Sequence, residues 1–268
     1  NFENIIRPGH ADYTSYIKYR GYNDLRGGGH LSGRLTAAMT FAGALCRQIL
    51  EKRGMFIGAH IYSIGKVYDK GFCNGVDDDV LIRLSKSEFP LLDNTKKDNM
   101  IKEINYYKDM CDSIGGSIEC AINNVPVGVG EPIFDGVESK MSSLMFAIPG
   151  VKGIEFGAGF KVVGMSGSEN NDEYIVKNEK IYTNSNNHGG ILGGISSGMP
   201  IIFRVAVKPT PSIGKEQCSL NIKTKKEELL LIRGRHDPCI AVRAVPVVES
   251  LASIAILDLM KGAGMIWI

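Results

Sequence analysis

The chain has 268 residues, of which 44% are hydrophobic and 22% are charged, so it is long and apolar enough to bury a substantial core. This composition argues against an intrinsically disordered protein. The formal net charge is only +2 and the basic residues are scattered among 29 acidic ones, which argues against a nucleic-acid-binding surface but leaves room for local anion sites.

Cysteine usage and hydropathy indicate the compartment. The six cysteines form no Cys-x-x-Cys pair and no regular framework, which favours reduced thiols over disulfides or zinc, and no histidine or cysteine spacing predicts a metal site. No apolar run approaches the ~20 residues that span a bilayer, and the first residues lack the pattern of a secretion signal. We therefore expect a soluble, cytoplasmic protein without a membrane partner.

Hydrophobic periodicity predicts alternating helices and strands in the first part of the chain. Apolar residues at helical spacing predict helices over residues 35–52, 94–114 and 136–147. Gly54 and the pair Gly115-Gly116 are the expected stops of the first two helices. Residues rich in apolar side chains and bounded by glycines or turns predict strands over 58–67, 117–125 and 151–156.

The second part of the chain continues the mixed pattern. Residues 170–187 are polar and rich in Asn, Glu and Lys, which predicts a loop or lid. A strong strand pattern covers 201–207, and a short apolar run follows at 229–232. Aligned apolar residues predict a helix over 247–260. No internal repeat is visible, so the elements predict a protein of mixed α and β structure.

Two distant segments share one unusual composition, because each packs arginine, histidine and aspartate within six residues. They are Arg7-Pro8-Gly9-His10-Ala11-Asp12 and Gly234-Arg235-His236-Asp237-Pro238-Cys239. Arginine holds oxyanions with two parallel hydrogen bonds, and histidine exchanges protons near neutral pH. A single arginine is usually a surface ion-pair residue and a single histidine is usually structural, but the repeated cluster favours a site that binds anions and moves protons.

Two glycine-rich stretches lie between these clusters. Glycine lets the backbone approach a ligand closely, and the stretches are Gly27-Gly28-Gly29-His30-Leu31-Ser32-Gly33-Arg34 and Asn187-His188-Gly189-Gly190-Ile191-Leu192-Gly193-Gly194. The first leads through Ser32 into a predicted helix, which would place backbone N–H groups and a helix N-terminus around an anion. Its glycines do not match the G-x-G-x-x-G spacing of a dinucleotide-binding unit, which argues against that fold.

These four segments, in their order and in their residues, resemble chorismate synthase. The resemblance extends over nearly the whole chain through Gly128-Val129-Gly130-Glu131-Pro132, Lys208-Pro209-Thr210-Pro211-Ser212 and Arg243-Ala244-Val245-Pro246. It implies a single α+β domain over residues 1–268, a chorismate synthase-like β-α-β sandwich with helices layered between antiparallel sheets, and a homotetramer. It also implies a carbon–oxygen lyase of aromatic amino-acid biosynthesis, in the shikimate pathway, that uses reduced FMN. The implied reaction is the anti-1,4-elimination of phosphate from 5-enolpyruvylshikimate 3-phosphate to give chorismate.

The resemblance also implies roles for individual residues. His10 matches a catalytic histidine that donates a proton near the flavin and the phosphate, and the cationic imidazole expected near neutral pH suits this role. Asp237 matches the catalytic aspartate that works with flavin N5 in taking the C6 proton of the substrate, although a turn-capping aspartate is the structural alternative. The implied anion-binding residues for the substrate are Arg7, Arg34 and Arg235. The implied FMN-binding positions are His30, Leu31, Ser32, Pro149, Gly150, Gly193, Lys208, Pro209, Thr210, Pro211, Ser212 and Arg235.

The sequence also departs from the family pattern. The family's N-terminal segment, with its Gly-x-Ser-His-Gly motif, is not found here, so we expect the first of two active-site histidines and several substrate arginines to be missing from this chain. His30 stands where arginine is commoner, and Leu35 where glutamate is commoner. A catalytically incomplete flavin- or phosphate-binding protein of the same fold is therefore the alternative function, ahead of a nucleic-acid-binding module. Whether the protein reduces its own flavin with NADPH stays open.

Overall fold

A computed structural model describes residues 4–24, 26–72, 76–234 and 236–266. The helices are α1 (Asp12–Lys18), α2 (Thr36–Glu51), α3 (Asp78–Ser85), α4 (Lys97–Asp109), α5 (Val137–Met145), α6 (Gly167–Asn170) and α7 (Ala241–Gly262). The strands are β1 (Ile5–Ile6), β2 (Phe56–Ile64), β3 (Val67–Tyr68), β4 (Gly116–Asn123), β5 (Val151–Phe156), β6 (Tyr174–Lys177), β7 (Lys180–Thr183), β8 (Ile191–Leu192), β9 (Ile195–Ser196), β10 (Ile201–Val207), β11 (Gln217–Asn221) and β12 (Glu227–Leu230).

The core lies between helices and an antiparallel sheet. The five-stranded sheet has the order β3-β2-β4-β10-β5, and a three-stranded sheet has the order β1-β11-β12. Because strand side chains alternate between faces, Ile57 and Ile61 of β2 point towards α2 and α7 with Phe203 of β10, and all three are fully buried. α3 packs on the opposite face, where Gly58 lets it approach: an added Cβ at Gly58 would lie 2.7 Å from Leu81 Cα. The expected α+β architecture with antiparallel sheets is confirmed.

Several predicted elements match closely. β5 and β10 have the predicted bounds, and α2, α5 and β4 agree with their predictions within two residues at each end. These segments have the clearest local pattern, since their apolar residues repeat at one period and turn residues flank them. Local sequence is therefore sufficient to define them.

Other elements differ from the prediction. The predicted strand 58–67 is two strands, because the chain turns at Gly65, which has a φ of 53°. The predicted helix 94–114 ends at Asp109, and Cys111 then takes a φ of 54°, which an α-helix cannot contain. α7 begins at Ala241, six residues before the predicted start, and accommodates Pro246 within its length.

The segment predicted as a loop or lid contains a hairpin. β6 and β7 pair antiparallel, and Asn178 and Glu179 form their turn with φ values of 50° and 63°. The polar composition of this segment hid the hairpin, because its strands are largely solvent-exposed and show no buried apolar face.

The sequence predicts no membrane span, no metal site and no disulfide. Within the described ranges, no helix is long and apolar enough to cross a bilayer, and no three histidine, cysteine or acidic residues are grouped to hold a metal ion. The described cysteines are all unpaired, and Cys73 lies outside the described residues.

Candidate functional site

A cavity of about 670 Å³ opens where four segments distant in sequence meet. Its walls come from residues 7–15, from residues 23–33, from residues 146–150 and from the loop at 208–212, with Ile240 at one side. The volume is typical of a site for a small organic ligand. The predicted site residues in its lining are Arg7, His10, His30, Leu31, Ser32, Pro149, Gly150, Lys208, Pro211 and Ser212.

Asp12 holds Arg7 in place at the cavity wall. The Arg7 Nε and Nη2 groups donate to the two Asp12 carboxylate oxygens, each at 2.8 Å, and the Arg7 backbone N–H donates to Asp12 Oδ2 at 2.9 Å. Burial alone would raise the pKa of Asp12, but the hydrogen bonds from Arg7 outweigh it and hold the pKa below its ordinary value. Asp12 therefore stays charged and orients the guanidinium.

The loop at 208–212 docks directly on the segment that carries His10. Lys208 Nζ donates to the Gly9 carbonyl at 2.7 Å, and His10 Nε2 lies 2.9 Å from Ser212 Oγ. Gly9 has a φ of 72°, and an added Cβ there would lie 2.8 Å from Pro211 Cβ. Glycine is required at this position because both the backbone conformation and the close approach disfavour a side chain.

His10 is neutral at pH 7. Burial lowers its pKa most, the charges of Arg7, Lys208 and His236 lower it further, and Asp12 opposes them, so the pKa is about 4. The expectation of a cationic imidazole near neutral pH is therefore wrong. The charges responsible are those that would attract an anion into the cavity.

The first glycine stretch forms two 3₁₀ turns, Arg26–Leu31 and Gly33–Leu35, ahead of α2. Gly28 and Gly29 have φ values of 85° and 50°, which bend the backbone along the cavity. Ser32 caps the second turn by accepting from the Arg34 N–H at 3.3 Å. His30 lies 3.1 Å through Nε2 from the Tyr19 hydroxyl, and the two rings meet edge to face.

Comparison with known proteins shows the family of the chain. A family model described as "Chorismate synthase" matches residues 1–260. The chain belongs to the chorismate synthase family. The chorismate synthase of Dehalococcoides mccartyi is 47% identical over 97% of this chain and 71% of the relative's length. That of Pyrococcus abyssi is 47% identical over 94% of this chain and 69% of its own length.

A solved structure supports the same assignment. A crystal structure described as chorismate synthase superposes with a TM-score of 0.76 at 28% identity, covering 94% of this chain and 70% of that chain. The predicted chorismate synthase-like fold is thereby confirmed. The chorismate synthase relatives also support a lyase that acts on a small molecule in aromatic amino-acid biosynthesis.

Several residues assigned by resemblance to chorismate synthase do not line the cavity. Arg34 is exposed at the start of α2, and Gly193 lies in the turn between β8 and β9. Pro209 and Thr210 belong to the loop at 208–212 but are not among the lining residues, and the Thr210 carbonyl accepts from Ser113 Oγ at 2.6 Å. Arg235 lies outside the described residues.

Asp237 is also absent from the residues that line the cavity. Its Oδ2 is 2.9 Å from Nε of Arg243, and its Oδ1 is a long 3.4 Å from the Cys239 N–H. The Arg243 contact is an ion pair with a largely exposed side chain, and the Cys239 contact is of the turn-stabilising type. The role of Asp237 as a base stays a prediction.

Sequence reasoning missed a buried charged network on the α3 side of the sheet. The fully buried His60 of β2 lies 3.0 Å from Asp69 Oδ2 through Nδ1 and 3.0 Å from Glu119 Oε2 through Nε2. Glu119 also accepts from the Phe72 N–H at 2.6 Å, and Arg204 Nε lies 3.5 Å from it. The available signal was a histidine within an otherwise apolar strand, since a buried histidine requires polar partners.

Proposed function

We propose that the protein catalyses the anti-1,4-elimination of phosphate from 5-enolpyruvylshikimate 3-phosphate to give chorismate, with reduced FMN bound in the same cavity. The observation that carries the proposal is the convergence of Arg7, His10 and Lys208 with the glycine stretch around one cavity of about 670 Å³. A phosphorylated, carboxylated substrate requires positive charge, which Arg7 and Lys208 supply here.

The cavity residues fit a flavin mononucleotide. Apolar side chains of Leu31, Phe146 and Ile240 offer surface to a flat ring, while Lys208 and the Ser32 hydroxyl offer partners to a phosphate or ribityl chain. The backbone at Gly28 and Gly150 has no side chain to obstruct a ligand. When bound, reduced FMN supplies a transient electron that weakens the carbon–oxygen bond to phosphate.

The residues of this chain carry the proton and charge transfers in the proposed reaction. The C3–O bond breaks and phosphate leaves with its electron pair, while the C6–H bond supplies the electrons of the new double bond. Arg7, at the cavity wall, stabilises the negative charge of the substrate and the leaving phosphate, and for Arg34 and Arg235 the same role is proposed from the family resemblance alone. His10 donates a proton on the phosphate side, and Asp237, held by Arg243, accepts the C6 proton. We also propose that the protein acts as a cytoplasmic homotetramer.

Replacing His10 tests this proposal. Chorismate formation from 5-enolpyruvylshikimate 3-phosphate is measured anaerobically with chemically reduced FMN, using the complete gene product. A proton donor contributes ~10²–10⁴ in rate, so His10→Ala should lower kcat by that order while KM changes little. FMN titration of each variant shows whether the site remains intact.

The outcomes separate the two candidate functions. Turnover by the wild type that is lost in His10→Ala supports the elimination. Flavin binding without turnover by the wild type would instead support the catalytically incomplete flavin-binding protein. Equal turnover in wild type and His10→Ala contradicts the role given to His10.

A further inference from the structure

We propose that Ser212 is a positioning residue for His10, whose hydroxyl determines which ring nitrogen carries the proton. The inference rests on the proposed function, in which His10 is the proton donor. It goes further by assigning Nδ1 as the atom through which the ring exchanges its proton with the ligand.

The contact joins residues that are 202 positions apart in the sequence. His10 Nε2 and Ser212 Oγ lie 2.9 Å apart, and both residues line the cavity. Since Nε2 faces Ser212, Nδ1 is the ring nitrogen to which no side chain of the described residues is hydrogen-bonded. The imidazole therefore presents one nitrogen to the protein and keeps the other for a ligand.

The separation of the two side chains is set by the backbone around them. Lys208 Nζ binds the Gly9 carbonyl at 2.7 Å, and Pro211 lies against Gly9 so closely that an added Cβ would be 2.8 Å away. On the far side of the loop, Ser113 Oγ donates to the Thr210 carbonyl at 2.6 Å. These contacts hold Lys208, Thr210 and Pro211, the residues that lead up to Ser212, so its hydroxyl is presented to His10 by an anchored loop.

A hydroxyl suits a proton-transferring histidine because it both donates and accepts. With the neutral ring, Ser212 donates to Nε2, because Nε2 is the one acceptor that its hydroxyl contacts among the described residues, and this keeps the proton on Nδ1. With the imidazolium, Ser212 accepts from Nε2–H, and Nδ1–H remains directed to the ligand. A carboxylate or a backbone carbonyl would accept only from N–H, so either would hold the neutral ring in the Nε2–H form. Ser212 therefore keeps its hydrogen bond through the whole proton transfer.

Nitrogen NMR of protein labelled with ¹⁵N-histidine tests the tautomer directly. The FMN-free protein is measured at about pH 7, where His10 is neutral, and the His10 signals are assigned by their loss in His10→Gln. We expect a protonated Nδ1 and an unprotonated Nε2 in the wild type. Ser212→Ala should move the signals towards the Nε2–H form that prevails in free histidine, and Ser212→Thr, which keeps a hydroxyl, should restore them.

Ser113→Ala is the matched control, because it removes a hydroxyl that anchors the same loop without touching His10. It should leave the His10 tautomer unchanged. An equal change in Ser113→Ala and Ser212→Ala would show that loop displacement causes the effect and would overturn the inference. So would a wild-type His10 that carries its proton on Nε2, or signals that Ser212→Ala does not alter.

Turnover gives a second, separate readout. Loss of one neutral hydrogen bond should lower kcat by about 3- to 10-fold in Ser212→Ala, with recovery in Ser212→Thr. The NMR result does not depend on any reaction. A shifted tautomer combined with unchanged turnover in both Ser212→Ala and His10→Ala would therefore support the role of Ser212 and contradict the proposed function of His10.

Discussion

The charge of a single residue, His10, depends on what occupies the cavity. Its pKa of about 4 results from burial and from the charges of Arg7, Lys208 and His236, with Asp12 opposing. An anion bound among these cations offsets their effect and stabilises the imidazolium, so it raises the pKa of His10. In the proposed reaction, His10 would thus become a proton donor once a phosphate binds.

Proton uptake on binding follows from this raised pKa. Between the free and the bound pKa, the complex holds more protons than the free protein, so FMN binding at about pH 6 should take up protons at His10. Calorimetric titrations of FMN in two buffers of different ionisation enthalpy measure the number taken up. His10→Gln is the control, because in this variant any proton change comes from the FMN phosphate and not from residue 10. Equal proton uptake in the wild type and His10→Gln contradicts the prediction.

At the scale of elements, the contact between α2 and α7 depends on Gly43. An added Cβ at Gly43 would lie 2.3 Å from Ser250 Cβ and 2.5 Å from Ser250 Cα and O. The same contact carries a buried ion pair, because Arg47 Nη1 lies 3.2 Å from Glu249 Oε2, and Glu249 also accepts from the Ala59 N–H of β2. The two helices therefore approach at backbone distance and are both tied to the sheet.

Gly43→Ala should destabilise the protein despite the better helix propensity of alanine. The clash involves backbone atoms, which no rotamer change relieves, and overpacking of this type costs ~1–3 kcal/mol against a propensity gain of about 1 kcal/mol. Urea unfolding midpoints measure the effect. Gly262→Ala, at the end of α7 with nothing within 4 Å of the added Cβ, is the matched control and should be neutral or slightly stabilising. A Gly43→Ala midpoint equal to that of the wild type is the contradicting result.

At the scale of the whole molecule, His60 joins parts of the chain that no single element connects. Its partner Asp69 accepts from the Leu92 N–H at 2.7 Å and the Asp93 N–H at 2.9 Å, and Glu119 lies on β4. Burial alone would lower the pKa of His60, but the hydrogen bonds to Asp69 and Glu119 outweigh it and raise the pKa above its ordinary value. A buried imidazolium thus links the sheet to the loops that cover it.

The stability of the protein should depend on pH through this histidine. Because the folded-state pKa is raised, the contribution is fully present below about pH 6.5 and is lost as the pH rises through the raised value. His60→Gln should remove this dependence and lower the unfolding free energy by ~3–5 kcal/mol at low pH, since it leaves two buried carboxylates without their cation. Urea unfolding across the pH range measures both effects, with the exposed His30→Gln as control. If the unfolding free energy of His60→Gln depended on pH in the same way as that of the wild type, the role of the imidazolium would be refuted.

What the sequence determined by itself was local structure and family. α2, β5 and β10 were predicted because each repeats its apolar residues at one period between turn residues, and this information lies within the element. The Arg-His-Asp clusters and glycine stretches indicated the chorismate synthase family because each is a contiguous sequence motif. The exposed hairpin of β6 and β7 escaped prediction since its strands bury no apolar face to produce a pattern.

Only the tertiary structure decided the environment of each residue. The sequence predicted His10 and Ser212 as site residues, but their contact and the close packing of Gly9 on Pro211 arise from loops about two hundred positions apart. The charge of His10 and the ion pairs of His60 depend on burial and on neighbours that no local spacing specifies. Protonation and hydrogen bonding are set by the distances between groups in space, and folding brings together groups that the sequence keeps apart.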